Sequence, residues 1–168
     1  MLHLKAKYVG ATPGYSLRKL NPWKKAAYAA TGVDWHRTAL PKHFTRAGAR
    51  EYDYSPRKGE PGNRYRKGFK RSYTGQKLAQ FGHTLPLVYS GESRALSRLR
   101  DVRASGKGVR IVLNAPGLNR RHPKSKINMR REVLALSPAD EARAMRTFDR
   151  EMQRQIDQTQ HTETKTLG

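Results

Sequence analysis

Three observations predict an α+β fold. Residues 142, 145, 148, 152 and 156 are apolar at helical spacing. Residues 109, 111 and 113 are apolar at strand spacing, beside a glycine-rich turn. Of the 168 residues, 36% are hydrophobic and 29% charged, enough apolar material for one modest core and too little for a large one. The expected architecture is a small antiparallel sheet packed against helices, including a C-terminal amphipathic helix, with an extended basic N-terminal arm and long loops. The expected organisation is an arm over 1–35, an α+β domain over 36–158 with basic loops at 55–71 and 115–129, and a polar tail over 159–168.

Taken in order, residues 1–35 carry turn formers at Gly10, Pro13, Gly14 and Gly32 among scattered rings at Tyr8, Tyr15, Trp23 and Tyr28. Most of this segment reads as an arm. One short helix fits NPWKKAAYAATG, with Asn21 as cap, Pro22 at the first helical position and Gly32 past the end. In LPKHFTRAGAREYDYSPR, the positions of Leu40, Phe44, Ala47 and Tyr52 suggest a helix beginning near Pro41 and ending before Pro56. SPRKGEPGNRYRKGFKR, residues 55–71, mixes proline, glycine and like charges, the composition of a loop. After a turn cluster holding the apolar run Leu85, Leu87 and Val88, ESRALSRLRD has room for one or two helical turns. DVRASGKGVRIVLNAP gives the clearest strand signal: Gly106, Lys107 and Gly108 supply a tight turn between antiparallel strands over 100–105 and 109–114. PGLNRRHPKSKINM reads as a long exposed loop, and RREVLALS supplies a third strand candidate over 130–136.

The final helix is specified four ways. Ser137 caps it, Pro138 takes the first position, Asp140 completes an S-x-x-D capping box, and Asp140 with Glu141 complements the helix dipole. Ala142, Met145, Phe148, Met152 and Ile156 form its expected inner stripe, with Arg143, Arg146, Asp149, Arg150, Glu151 and Arg154 outside. TQHTETKTLG follows as a polar tail.

Charge is unevenly spread. Residues 1–75 hold 17 Lys/Arg against 4 Asp/Glu, residues 76–136 hold 13 against 3, and residues 137–168 hold 5 against 6. The net +22 therefore belongs to the first 136 residues, a self-repelling surplus that polyanions or acidic protein surfaces would neutralise. Two clusters are candidate contacts for such a partner. Arg57, Lys58, Arg64, Arg66, Lys67, Lys70 and Arg71 interleave with Tyr65 and Phe69, and Arg120, Arg121, Lys124 and Lys126 form the second group.

Several chemistries drop out. With no cysteine there are no disulfides, Cys-ligated zinc or thiol nucleophiles. No window approaches 18 consecutive apolar residues, so no membrane partner is expected, and MLHLKAKYVGATPG lacks the apolar run of a secretory signal. His36 and His43 stand seven apart without a zinc-site pattern, and SGKG (105–108) and YTGQK (73–77) lack phosphate-loop spacing and read as a hairpin turn and a loop. YSGES (89–93) differs in order from the nucleophile elbow. No catalytic residue, cofactor or metal is assigned; an enzyme would need His43, Asp53 and His83 to converge on a pocket.

The order of the motifs resembles the neck and tail-completion proteins of long-tailed bacteriophages, a virion-morphogenesis family. The residues that carry the resemblance are His43, Phe44, Ala49, Tyr52, Tyr54, Pro56 and Arg57, then Pro86, Leu87, Val88, Ser90 and Gly91, then Ser137, Pro138, Ala139, Asp140 and Phe148. It covers roughly residues 40–157. The resemblance implies a non-enzymatic α+β subunit of a homo-oligomeric ring that joins the DNA-filled head to the tail. It implies partners among portal, adaptor or head-closure proteins and tail terminator or tail-tube proteins, with the packaged DNA nearby. It implies residence in the virion after assembly in the host cytoplasm. The competing expectation is a basic nucleic-acid-binding protein that grips DNA or RNA backbone through its arms.

Overall fold

The first long helix, α1 (Pro13–Thr38), runs 26 residues and carries Pro22 inside it. A short helix beginning at Asn21 was the expectation, because Asn-Pro marks a start. Burial decides otherwise: Trp23, Ala27 and Asp34 are turned inward, and most helical stability in proteins comes from such packing rather than from local signals. A computed structural model describes residues 4–9, 13–57, 59, 67–88, 90–98, 100–119, 127–159 and 162–167, and these are the described residues below.

Ahead of α1, β1 (Leu4–Val9) pairs antiparallel with β4 (Thr162–Leu167), from Leu4 opposite Leu167 to Val9 opposite Thr162. The segments expected to be an arm and a tail are therefore each other's strand partner. After α1 come a 3-10 turn over Leu40–Phe44 and α2 (Arg46–Glu51) in place of one continuous helix. The break lies at Thr45, which is extended and uses its hydroxyl to accept from the Gly48 amide at 2.9 Å. Gly48 has no room for a side chain, since a Cβ there would sit on the Lys42 carbonyl oxygen.

A further 3-10 turn, Phe69–Arg71, leads into α3 (Tyr73–Phe81). YTGQK is thus the start of a helix and no loop: Ser72 caps it by accepting from the Gly75 amide at 3.1 Å, and Gly82 ends it with φ of 69°. α4 (Glu92–Leu96) is a single turn of helix, and β2 (Arg100–Ser105) and β3 (Gly108–Leu113) form the expected hairpin about Gly106 and Lys107. The expected third strand is instead α5 (Met129–Val133), capped by Asn128 accepting from the Arg131 amide at 3.2 Å. α6 (Pro138–Asp157) follows as predicted. The described strands form two separate two-stranded sheets within an α+β chain, and no helix among the described residues is long and apolar enough to cross a membrane.

The chain divides into two compact units, and residues expected in one domain over 36–158 are shared between them. Unit 1 takes Met1–Asp34, Val102–Ile111 and Ala142–Gly168; unit 2 takes Trp35–Asp101 and Val112–Glu141. In unit 1, Tyr28 meets Phe148 with ring centroids 4.8 Å apart, and Gly32 admits the hairpin so closely that a Cβ would lie 2.8 Å from Val109. Asp34, buried, accepts from Arg143 Nε at 2.7 Å and Nη2 at 3.2 Å. The α6 stripe is rotated from the expected one: Thr147 is buried while Met145 is 67% exposed, because the helix is held by the Asp34 pair as well as by its apolar side chains. The core of unit 2 is Leu40, Phe44, Leu87, Val88, Ala115, Leu118 and Val133.

Candidate functional site

Local structure in unit 2 turns a string of polar and aromatic residues inward. The 3-10 turn buries His43 and Phe44. Past α2 the chain reverses at Asp53, whose φ of 48° is left-handed, a conformation aspartate tolerates better than most residues. The reversal returns Tyr52 and Tyr54 to His43. The His43 and Tyr52 rings stack at 3.8 Å with 9° between their planes, and Tyr54 lies 6.0 Å from His43 and 6.1 Å from Tyr52.

Each ring is tied to a distant segment. The Tyr52 hydroxyl donates to Asp140 Oδ2 at 2.7 Å. Asp140 and Ser137 form the predicted capping box, the Asp140 amide donating to Ser137 Oγ at 3.2 Å and the Ser137 amide to Asp140 Oδ2 at 3.3 Å. Lys42 Nζ stands 3.3 Å from both Glu51 and Asp140, and the Ser137 hydroxyl lies 2.8 Å from Glu51. The Tyr54 hydroxyl donates to the Glu132 carbonyl at 3.1 Å. Arg57 completes the cluster with a two-pronged pair to Glu132, Nη1 to Oε1 at 2.8 Å and Nη2 to Oε2 at 2.5 Å, and donates also to the Ser55 carbonyl.

The electrostatics suit a closed interior. Burial drives the His43 pKa down from its ordinary value to about 4, against the attraction of Asp140, so the ring is neutral at pH 7. Burial would push the Asp140 carboxyl up, but hydrogen bonds from Tyr52, Ser137 and Lys42 outweigh it and hold the group below the usual carboxylate value. Both tyrosine hydroxyls are raised, first by burial and then by the neighbouring carboxylates. Among the described residues, His43 Nε2 and Trp35 Nε1 are buried without a hydrogen-bond partner, with their rings 6.3 Å apart.

This arrangement ties residues 42–57 to residues 132–140 within unit 2. His43 is fully enclosed, Asp53 is exposed, and His83 is engaged elsewhere, stacking on Phe81 and accepting from the Leu85 amide. No group of three or more His, Asp or Glu among the described residues is placed to hold a metal ion.

The predicted cation contacts fare differently from one another. Arg57 is a correction: it is 7% exposed and committed to Glu132, so it does not reach out to a partner. Lys67, Lys70 and Arg71 are exposed at the turn before α3. Lys58, Arg64, Arg66, Arg120, Arg121, Lys124 and Lys126 lie outside the described residues. Sequence reasoning passed over Glu132, whose role depends on Arg57 being internal, and Lys77, a buried lysine that donates to the Leu85 carbonyl. No local pattern announces either, since each is defined by a partner reached through the fold.

No protein-family model, curated protein or solved structure matches the chain.

Proposed function

We propose that the chain is a structural subunit of the head-to-tail connection of a long-tailed bacteriophage, a neck or tail-completion protein without enzymatic activity. Copies of it form a ring between the portal, adaptor or head-closure side and the tail terminator or tail tube, in the virion. The observation that supports this is the fate of the residues carrying the resemblance. His43, Tyr52, Tyr54, Arg57, Ser137 and Asp140, scattered over almost a hundred positions, interlock in one cluster in unit 2. Members that hold one another across distant segments are what a fold-defining signature requires.

Interrupting the coding sequence in its bacteriophage tests the reading. Electron microscopy should show DNA-filled heads and finished tails that fail to join, restored by supplying the chain in trans. Joined, infectious particles in its absence would overturn the proposal.

A further inference from the structure

α6 turns most of its apolar residues away from its own core. Thr147 marks the inner side: it is buried and donates to Asp34, with Arg143 paired to the same Asp34 and Phe148 set against Tyr28. At about 100° per residue, Ala142, Met145, Asp149, Met152 and Ile156 all fall within about 40° of the line opposite Thr147. Met145 is 67% and Ile156 37% exposed, Asp149 is exposed, and Ala142 and Met152 are half-buried. The steps of 3, 4, 3 and 4 are those of a seam on which a second helix packs. All of these residues belong to unit 1.

The pattern selects its occupant. Counted from Asp149, the apolar residues stand at −7, −4, +3 and +7, so the stripe reads nearly the same in both directions. A second copy of α6 laid antiparallel across a two-fold axis at Asp149 sets Met145 against the partner's Met152 and Ala142 against the partner's Ile156, and each pair again in reverse. The two Asp149 carboxylates meet near the axis, where like charges repel. Arg146, one turn earlier on the flank of the stripe, comes beside the partner's Asp149 and offsets that repulsion, once from each copy. Among the described residues, neither Arg146 nor Asp149 has an ion-pair partner within its own chain. A chain of net +22 repels its copies, but residues 142–157, with four arginines against three acids, lie in its near-neutral C-terminal part. Leu17 and Leu20 of α1 are exposed too, yet they stand beside Arg18 and Lys25 on a helix whose single acid is the buried Asp34, so copies meeting there would add repulsion. Asp149, a charge at the centre of the stripe, disfavours a lipid surface, and near-neutrality leaves nothing to draw a polyanion.

We infer that the outer face of α6, centred on Asp149, is the contact through which two copies of the chain form an antiparallel, two-fold dimer. Met145, Met152 and Ile156 supply its apolar centre. The reciprocal Arg146–Asp149 pairs set the register, as a polar residue in a helical seam does. A single pair of helices touching over about 20 Å is a small interface, so the dissociation constant should be on the order of 10 μM. The contact does not depend on the virion role: a two-fold pair closes on itself, and a ring is built through other surfaces.

Sedimentation equilibrium of the full chain tests this, in about 0.2 M salt to screen long-range repulsion. The chain should be mostly dimer at about 100 μM and mostly monomer at about 1 μM. Met145→Glu should weaken the dimer by roughly ten-fold or more and leave the melting temperature of the dilute monomer unchanged, because that side chain is exposed in the single chain. Leu17→Glu places the same charge on α1 and should leave the dimer intact. Arg146→Asp sets acid against acid across the axis and should abolish the dimer; adding Asp149→Arg to the same chain reverses every pair and should restore it. A monomer at about 100 μM would overturn the inference. So would a dimer that survives Met145→Glu, one lost equally in Leu17→Glu, or one that the folded double exchange fails to restore. Pelleting of the natural chain, and not of Met145→Glu, with phosphatidylcholine vesicles in place of dimerisation would give the face to lipid. Assemblies larger than a dimer and indifferent to Met145→Glu would give self-association to another surface, and either result refutes the assignment.

Discussion

Tyr54 dictates which nitrogen of His43 carries the proton. The tyrosine has one hydroxyl hydrogen and spends it on the Glu132 carbonyl at 3.1 Å, so its oxygen accepts from His43 Nδ1, and Nε2 is left bare. The buried imidazole is therefore a neutral Nδ1–H tautomer, fixed by a residue eleven positions on.

Stability should accordingly depend on pH in the acid range. The folded-state pKa of His43, about 4, lies below its ordinary 6.5, so the unfolded chain takes up the proton first as pH falls. Stability is complete above pH 6.5 and declines from there to about pH 4, by roughly 3 kcal/mol if His43 acts alone. Below that, Asp140 adds a further loss as it is protonated, because its pKa is depressed in the fold. Urea denaturation across this range measures the decline, and nitrogen-15 NMR of the imidazole reads the tautomer. A protonated Nε2 at pH 7 would contradict the assignment.

The Arg57–Glu132 pair should behave as a buried ion pair. Glu132→Gln leaves the Arg57 charge enclosed without its counter-charge, and the expected loss is about 3 kcal/mol in urea unfolding. Replacing both residues by Met should recover most of that loss, since two apolar side chains have no charge to strand. A single variant that costs under about 1 kcal/mol would mean the site opens to solvent.

Tyr52→Phe removes a hydrogen bond to a carboxylate and should cost about 2 kcal/mol. Asp140→Asn weakens the same bond together with the capping box, so the two changes combined should cost less than the sum of each alone. A double-mutant cycle gives the coupling energy; strict additivity would show that the two groups do not act as one unit.

Gly48→Ala should cost roughly 2 kcal/mol, since the new methyl meets the backbone carbonyl of Lys42 and neither partner can swing aside. Gly82→Ala meets nothing, and only the left-handed backbone opposes it, so about 1 kcal/mol is expected. Thermal melts of the two variants should therefore rank in that order.

Elements with local signals were legible. The capping box and dipole residues of α6 mark its start at Pro138, and Gly106-Lys107-Gly108 marks the hairpin. What escaped depends on distant partners. β1 and β4 pair from opposite ends of the sequence: β1 alternates Leu4, Ala6 and Tyr8 with Lys5 and Lys7, but β4, TETKTL, shows no apolar alternation, so nothing local joins the two. α1 is buried through Trp23, Ala27 and Asp34, too few apolar groups to register as a stripe. The cluster in unit 2 was half visible: its members were picked out by resemblance, but Arg57 looked like any other cation of a basic stretch until Glu132 came to meet it.

The register that sets Leu4 against Leu167 also has a temporal meaning. Joining β1 to β4 closes a loop of nearly the whole polypeptide, an entropic cost that is met only once the intervening helices have condensed. That ribbon is thus the last piece to zip during folding and the first to fray, and its amides will exchange with deuterium ahead of those in either unit's interior.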